Sequence, residues 1–182
     1  MTEPHQRAVF AAAIAVAAAC AFFDWRKGEI PNWLTSAALV VAPIGHAARY
    51  LAAHETMESA LFEGAYSIGG ALVCSIVPLM LFRKGAMGGG DVKMLAATGA
   101  MLQTVMGVEA EMYAFFAATI AAPAKLAYEG KLWTTLKNAL SIGANFFLPK
   151  ERQKSVDGTT LSSFRLGPAV LFGVCFTAYL HW

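Results

Sequence analysis

Long apolar stretches alternate with short polar ones along the whole chain, and this pattern predicts a series of membrane-spanning helices. Six stretches contain no charged side chain, namely residues 8–23, 33–48, 64–82, 94–108, 112–124 and 166–182. A helix that crosses the hydrocarbon core needs about 20 mainly apolar residues, and flanking Lys, Arg, Trp and Tyr can extend a shorter stretch. We therefore predict an all-α membrane protein, a six-transmembrane-helix bundle. Its approximate spans are 8–23, 33–50, 64–82, 91–108, 111–128 and 165–182.

The composition agrees with a lipid environment. Apolar residues make up 57% of the 182-residue chain and charged residues 14%, and the mean hydropathy is +0.52. In soluble domains, apolar residues average about 45–50% and charged residues about 25% on similar counts. This composition excludes a disordered chain, a disulfide scaffold and a nucleic-acid-binding tail. We expect membrane lipid and no nucleic acid as partners. Two alternatives stay open, a cleaved signal peptide in the first stretch and a soluble helical bundle.

Basic residues are distributed unevenly between the predicted loops. Of the 14 Lys and Arg residues, only Arg7 and Arg49 lie outside the first, third and fifth loops and the span edges that adjoin them. Because cytoplasmic loops carry an excess of Lys and Arg, these three loops are predicted to be cytoplasmic and both termini to lie outside.

The long fifth loop contains a helical pattern of its own. Leu132, Trp133, Leu136 and Leu140 recur at helical spacing, with lysines elsewhere on the helical wheel. This spacing predicts an amphipathic cytoplasmic helix on the inner leaflet, or alternatively a partly buried connector. No second domain is indicated, and residues 1–182 are predicted to form a single membrane-embedded domain.

The three cysteines offer no metal or redox chemistry. Cys20, Cys74 and Cys175 all fall inside predicted spans, and the sequence has no CxxC motif or Cys/His cluster. We expect them to be small apolar packing residues, and we expect neither a metal nor a cofactor.

Two aspartates stand out, because ionisable groups at membrane depth are costly. Asp24 ends the first span and Asp91 begins the fourth, so the predicted topology places both at the cytoplasmic edge. Two adjacent carboxyl groups share one proton, so that one can activate water while the other stabilises an oxyanion. The alternative is structural, with each aspartate capping a helix or pairing with a nearby cation.

A run of three glycines before Asp91 favours the catalytic interpretation. Glycine costs backbone entropy but permits positive φ and close backbone approach, which would place Asp91 among packed helices. A phosphate-binding loop is disfavoured, because the carboxylate would occupy the position of the anion.

Three segments resemble the type IV prepilin peptidase family of GxGD membrane aspartyl proteases. Residues 87–95 read Met-Gly-Gly-Gly-Asp-Val-Lys-Met-Leu, residues 24–32 read Asp-Trp-Arg-Lys-Gly-Glu-Ile-Pro-Asn, and residues 165–173 contain a Gly-Pro pair. The GxGD motif alone is weak, but the three segments occur in the family's order. The chain is similar to the short members of tight-adherence (Flp) pilus systems, and it lacks the cysteine motifs of the larger methylating members.

The resemblance implies an aspartic endopeptidase of the bacterial cytoplasmic membrane. It would cleave the basic leader from type IV prepilin and pseudopilin precursors at the cytoplasmic face. The resemblance implies that Asp24 and Asp91 are the catalytic pair. We further predict that Gly88, Gly89, Gly90 and Lys93 support the active site, and that Pro31, Asn32, Gly167 and Pro168 are candidate substrate contacts. The alternatives are a small proton- or cation-coupled transporter or channel, in which the aspartates relay ions, and a non-catalytic assembly subunit of a pilus or secretion system.

Overall fold

The helices account for nearly all of the chain that can be described. The structure, a computed structural model, describes residues 4–130, 133 and 165–182. Within these residues it contains five α-helices and no strand, which confirms the all-helical prediction. The helices are α1 (Pro4–Lys27), α2 (Asn32–Ala52), α3 (Met57–Arg83), α4 (Gly89–Tyr128) and α5 (Gly167–His181). The amphipathic helix predicted over residues 131–140 lies outside the described residues except for Trp133.

Three of the helices are long and apolar enough to cross a membrane. Their candidate spans are Gln6–Lys27, Met57–Arg83 and Gly89–Tyr128. Helix α5 is apolar but shorter, with 15 residues. Large apolar side chains such as Leu72, Val105 and Phe116 are more than 60% exposed. Exposed apolar surface of this kind is unfavourable in water and favourable in lipid.

The chain divides into two compact units. The first contains Met1–Ala117 and Arg165–Trp182, and the second contains Ala118–Phe164. The packing and the candidate sites below belong to the first unit. The described part of the second unit is the end of α4, a turn at Gly130 and the exposed, helical Trp133.

Helix α4 is a hairpin of two helical arms rather than one straight helix. Gln103 has φ 62° and ψ −174°, which breaks the helix between residues 102 and 104. A continuous helix would separate residues 99 and 107 by about 12 Å. Instead, a Cβ on Gly107 would lie 2.8 Å from the Gly99 Cα. The second arm therefore folds back against the first.

The hairpin reverses earlier than the charge pattern predicted. We expected the loop between residues 108 and 111, where Glu109 and Glu111 interrupt the apolar stretches. Both glutamates instead lie on the second arm, where their charges are accommodated locally. Glu109 pairs with His181 at 2.8 Å, and buried Glu111 accepts a hydrogen bond from the Cys74 thiol.

Glycines allow α3 and the two arms of α4 to approach to backbone contact. A Cβ on Gly70 of α3 would meet the Gly99 carbonyl oxygen, and a Cβ on Gly99 would meet the Gly70 carbonyl oxygen. The Ser67 hydroxyl donates a hydrogen bond of 2.7 Å to the Ala100 carbonyl in the same interface. Small residues favour helix association in membranes, because close backbone approach maximises van der Waals contact.

The remaining helices pack around this centre. Helix α2 packs on α3, and α1 packs on α5. Gly173 of α5 faces the second arm of α4 so closely that a Cβ would meet the Ala110 carbonyl oxygen. The packing of α5 on α1 holds the start of α5 beside the end of α1. At the start of α3, the Thr56 hydroxyl caps the helix by accepting a hydrogen bond from the Ser59 N–H.

We expect Gly99→Ala to lower the free energy of unfolding by about 1–3 kcal/mol, because overpacking forces backbone shifts. The added Cβ would meet the Gly70 carbonyl and would lie 2.7 Å from the Cys74 Cβ. Titration of the micelle-solubilised protein with dodecyl sulfate, followed by circular dichroism, measures this free energy of unfolding.

The matched control for this substitution is Gly45→Ala. A Cβ on Gly45 meets no atom within 4 Å, so the variant should be as stable as the wild type or up to about 1 kcal/mol more stable. Equal stability of the two alanine variants would contradict the tight crossing.

Candidate active site

The end of α1 presents Asp24 to the interior. The Gly28 N–H donates to the Asp24 carbonyl at 2.9 Å, and Gly28 has φ +71°. This left-handed conformation ends the helix and is favourable for glycine. The Asp24 side chain is 5% exposed, so its carboxyl group is buried close to the helix end.

Asp24 forms a hydrogen bond with the first residue of α5. The Gly167 N–H donates to Asp24 Oδ2 at 2.8 Å. The Leu166 side chain makes no capping hydrogen bond, so a carboxylate from another helix satisfies this donor. The contact requires glycine, because a Cβ on Gly167 would lie 2.8 Å from Oδ2 and 2.9 Å from the Ala21 Cα. Pro168 follows in the first turn, where its missing N–H costs nothing.

Asp91 lies in the first turn of α4. It is the third residue of the helix, and its carboxylate accepts a hydrogen bond from the Gly88 N–H. This is the side-chain half of a capping box, and the helix dipole also favours a negative charge here.

The structure brings the two carboxyl groups together from distant positions in the sequence. Asp24 and Asp91 are close enough for their charges to interact. Asp24 is buried, whereas Asp91 is half-buried. Each carboxylate also bonds to the start of a helix, as the structural alternative requires. Helix capping and acid–base chemistry are compatible, because a carboxylate has two oxygens and several lone pairs.

The glycine run adopts no unusual backbone conformation, and only Gly88 lies in a contact tighter than usual. Gly88, Gly89 and Gly90 do not adopt positive φ. A Cβ on Gly88 would lie 3.3 Å from Asp91 Oδ2, which is tighter than ordinary contact. A Cβ on Gly89 would lie 3.5 Å from the Phe82 ring, and one on Gly90 would lie 3.5 Å from Ile30. The closest restriction therefore comes at Gly88, beside the carboxylate.

Lys93 links the start of α4 to the start of α2. Its Nζ donates a hydrogen bond of 2.8 Å to Asn32 Oδ1. Asn32 is the first residue of α2, and Pro31 precedes it in an extended conformation. The segment that carries Pro31 and Asn32 is thereby tied to the helix that carries Asp91. The structure thus places all the predicted site residues on these neighbouring helix ends.

Sequence reasoning missed a second polar cluster around Gln103. The Gln103 side-chain amide donates to Glu63 at 2.6 Å and lies 3.4 Å from the His46 ring. The signal in the sequence was a glutamine and a histidine within charge-free stretches, where polar groups need partners. Their mutual contact depends on the hairpin and could not be predicted from spacing.

The fold and this site define a helical membrane protein with paired carboxylates at one end of its bundle. A sequence model of the type IV leader peptidase family matches residues 11–123, and the chain belongs to that family. The match includes Asp24 and Asp91, and the family implies a protease. The predicted resemblance is confirmed at this level. Comparison with curated proteins and with solved structures finds no match.

We expect the Lys93–Asn32 hydrogen bond to contribute about 0.5–1 kcal/mol, because it is exposed to solvent. The variants Lys93→Met, Asn32→Leu and the double variant should therefore show a coupling of that size in the free energy of unfolding. Lys84→Met combined with Asn32→Leu is the control pair and should be additive. Additivity in both pairs would contradict the contact.

Proposed function

We propose that the protein is a membrane aspartic endopeptidase that removes the basic leader from type IV prepilin-like precursors. The observation that carries this proposal is the interacting pair Asp24 and Asp91, which α1 and α4 bring to the same end of the bundle. Membership of the type IV leader peptidase family supports leader cleavage. An assembly subunit would require neither the carboxylate pair nor a protease family, and a transporter that relays ions through the aspartates would not require a protease family.

The proposed reaction uses one shared proton. The ionised carboxylate takes a proton from a water molecule as its oxygen attacks the carbonyl carbon of the scissile peptide. The protonated carboxyl group donates its hydrogen bond to the carbonyl oxygen and stabilises the developing charge. The proton then passes to the leaving amine as the C–N bond breaks, which gives a new carboxyl terminus and a new amino terminus. Bonds from Gly88 and Gly167 hold the two carboxyl groups in position.

The distribution of charge supports a cytoplasmic location for this site. The end of the first unit that carries Asp24 and Asp91 also carries Arg26, Lys27 and Lys93. We propose six spans, in which the two arms of α4 each cross the bilayer, with this end on the cytoplasmic side of a bacterial inner membrane. We propose that the precursor contacts four residues on the neighbouring helix starts, namely Pro31, Asn32, Gly167 and Pro168.

Asp24→Asn and Asp91→Asn should each reduce cleavage by roughly 10³-fold, because either substitution removes a group that must carry or accept the proton. Co-expression with a prepilin precursor, or mixing of the purified proteins in detergent, followed by gel mobility, measures the rate. Glu111→Gln is the control, since it neutralises another buried acid away from the pair. Full activity of either aspartate variant would exclude the proposed mechanism.

Gly167→Ala should lower the cleavage rate roughly 10²-fold without unfolding the protein, because a displacement of about 1 Å can cost this much. The methyl group would press on the Asp24 carboxyl and on the α1 backbone. Gly45→Ala, which contacts nothing, should retain the wild-type rate under the same assay. An unimpaired Gly167→Ala variant would show that the position of Asp24 is not critical.

A further inference from the structure

A cavity of about 440 Å³ with both polar and apolar lining residues lies at the end of the bundle opposite Asp24 and Asp91. It is formed by the start of α1, the end of α2 and the reversal of α4. Its polar lining side chains are Gln6, His46, Arg49, Tyr50, Glu55 and Gln103. The proposed proteolysis uses none of them.

A hydrogen-bond network fixes the inner wall of this cavity. The Met101 carbonyl can only accept, so His46 Nε2–H donates to it at 2.9 Å. His46 Nδ1 then accepts from the Gln103 amide, which also donates to Glu63. The side chains on this wall are therefore held by one another.

The side chains that line the cavity include the cation Arg49 and the anion Glu55, and a second acid, Glu63, lies near Arg49. The Tyr50 hydroxyl interacts with both Glu63 and the Arg49 guanidinium. A guanidinium has five N–H donors, which is more than one hydroxyl can use. Glu55 lines the same cavity and is exposed. Arg49 and Glu55 thus offer a donor for phosphate and an acceptor for ammonium.

An apolar groove of about 540 Å³ continues from this cavity between α1 and α2. The cavity and the groove share Val9, His46, Arg49 and Met101. The groove is lined by small residues such as Ala12, Ala38, Ala42 and Gly45, together with larger apolar side chains. It exists because α1 packs mainly on α5 and touches α2 only sparsely.

We propose that the cavity and the groove together bind one phospholipid with a primary-ammonium zwitterionic headgroup, such as phosphatidylethanolamine. Arg49 binds the phosphate, Glu55 accepts hydrogen bonds from the ammonium group, and an acyl chain lies in the groove. A second helix in the groove would leave this charged pair without partners. An anionic lipid would satisfy Arg49 but not Glu55, so the two charges together select the zwitterion.

Native mass spectrometry of the detergent-purified protein tests this site with phosphatidylethanolamine, phosphatidylcholine and phosphatidylglycerol. Phosphatidylethanolamine should be retained best, because the trimethylammonium group of phosphatidylcholine has no N–H that could donate a hydrogen bond to Glu55. Arg49→Gln should weaken its binding about tenfold, the loss of one charge-assisted contact. Glu55→Gln lies outside the internal network and should remove the preference over phosphatidylcholine while the protein stays folded.

A groove variant keeps the proposal falsifiable independently of the headgroup. Gly45→Leu places a side chain where the structure has open space and should abolish retention, whereas Ala48→Leu adds the same side chain outside the groove and should not. Equal retention of all three lipids, or unchanged retention by Gly45→Leu, would overturn the proposal. So would a Gly45→Leu variant that retains lipid but loses precursor cleavage, since the groove would then bind the precursor helix.

Discussion

The close approach of Gly70, Gly99 and Gly107 is the contact on which the rest of the bundle depends. Helix association in lipid gains little from the hydrophobic effect, so packing and hydrogen bonds must supply the attraction. The three glycines and the small Cys74 side chain allow this close packing, and Gln103 provides the reversal that lets the arms of α4 meet. The first arm of α4 begins at the end of the bundle where α1 finishes, so Asp91 lies near Asp24.

The candidate active site uses helix starts as anchors for its two acids. Asp24 holds the first N–H of α5, and Asp91 holds the N–H before its own helix. These bonds stabilise the helix ends and also orient the carboxyl groups, so one set of contacts serves both stability and geometry. Such preorganisation suits a reaction in which a proton must move between groups at fixed positions. In the proposed function, the structural and the catalytic interpretations of the aspartates are therefore complementary.

Several other polar side chains of the described helices have local partners, although Glu111 Oε1 and Thr177 Oγ1 are buried without a hydrogen bond. Glu109 pairs with His181, Glu111 bonds to Cys74, and Gln103 joins Glu63 to the His46 ring. A polar group without a partner in hydrocarbon is costly, so each of these pairs stabilises the helices that it joins. Of these residues, His46 and Gln103 also line the cavity of the proposed lipid site.

The sequence by itself determined the helical class, the membrane environment and the protease family. Apolar length and charge position are properties of the residues themselves, and the segments around Asp24 and Asp91 carry the family resemblance. Even the pairing of these acids was predictable, because both adjoin spans on the same side. Only the tertiary structure decided that α4 reverses at Gln103, that Asp24 accepts a hydrogen bond from the Gly167 N–H and that Lys93 donates one to Asn32. These features arise where backbones of distant segments touch, and glycine contacts and cross-helix hydrogen bonds leave no periodic pattern in the chain.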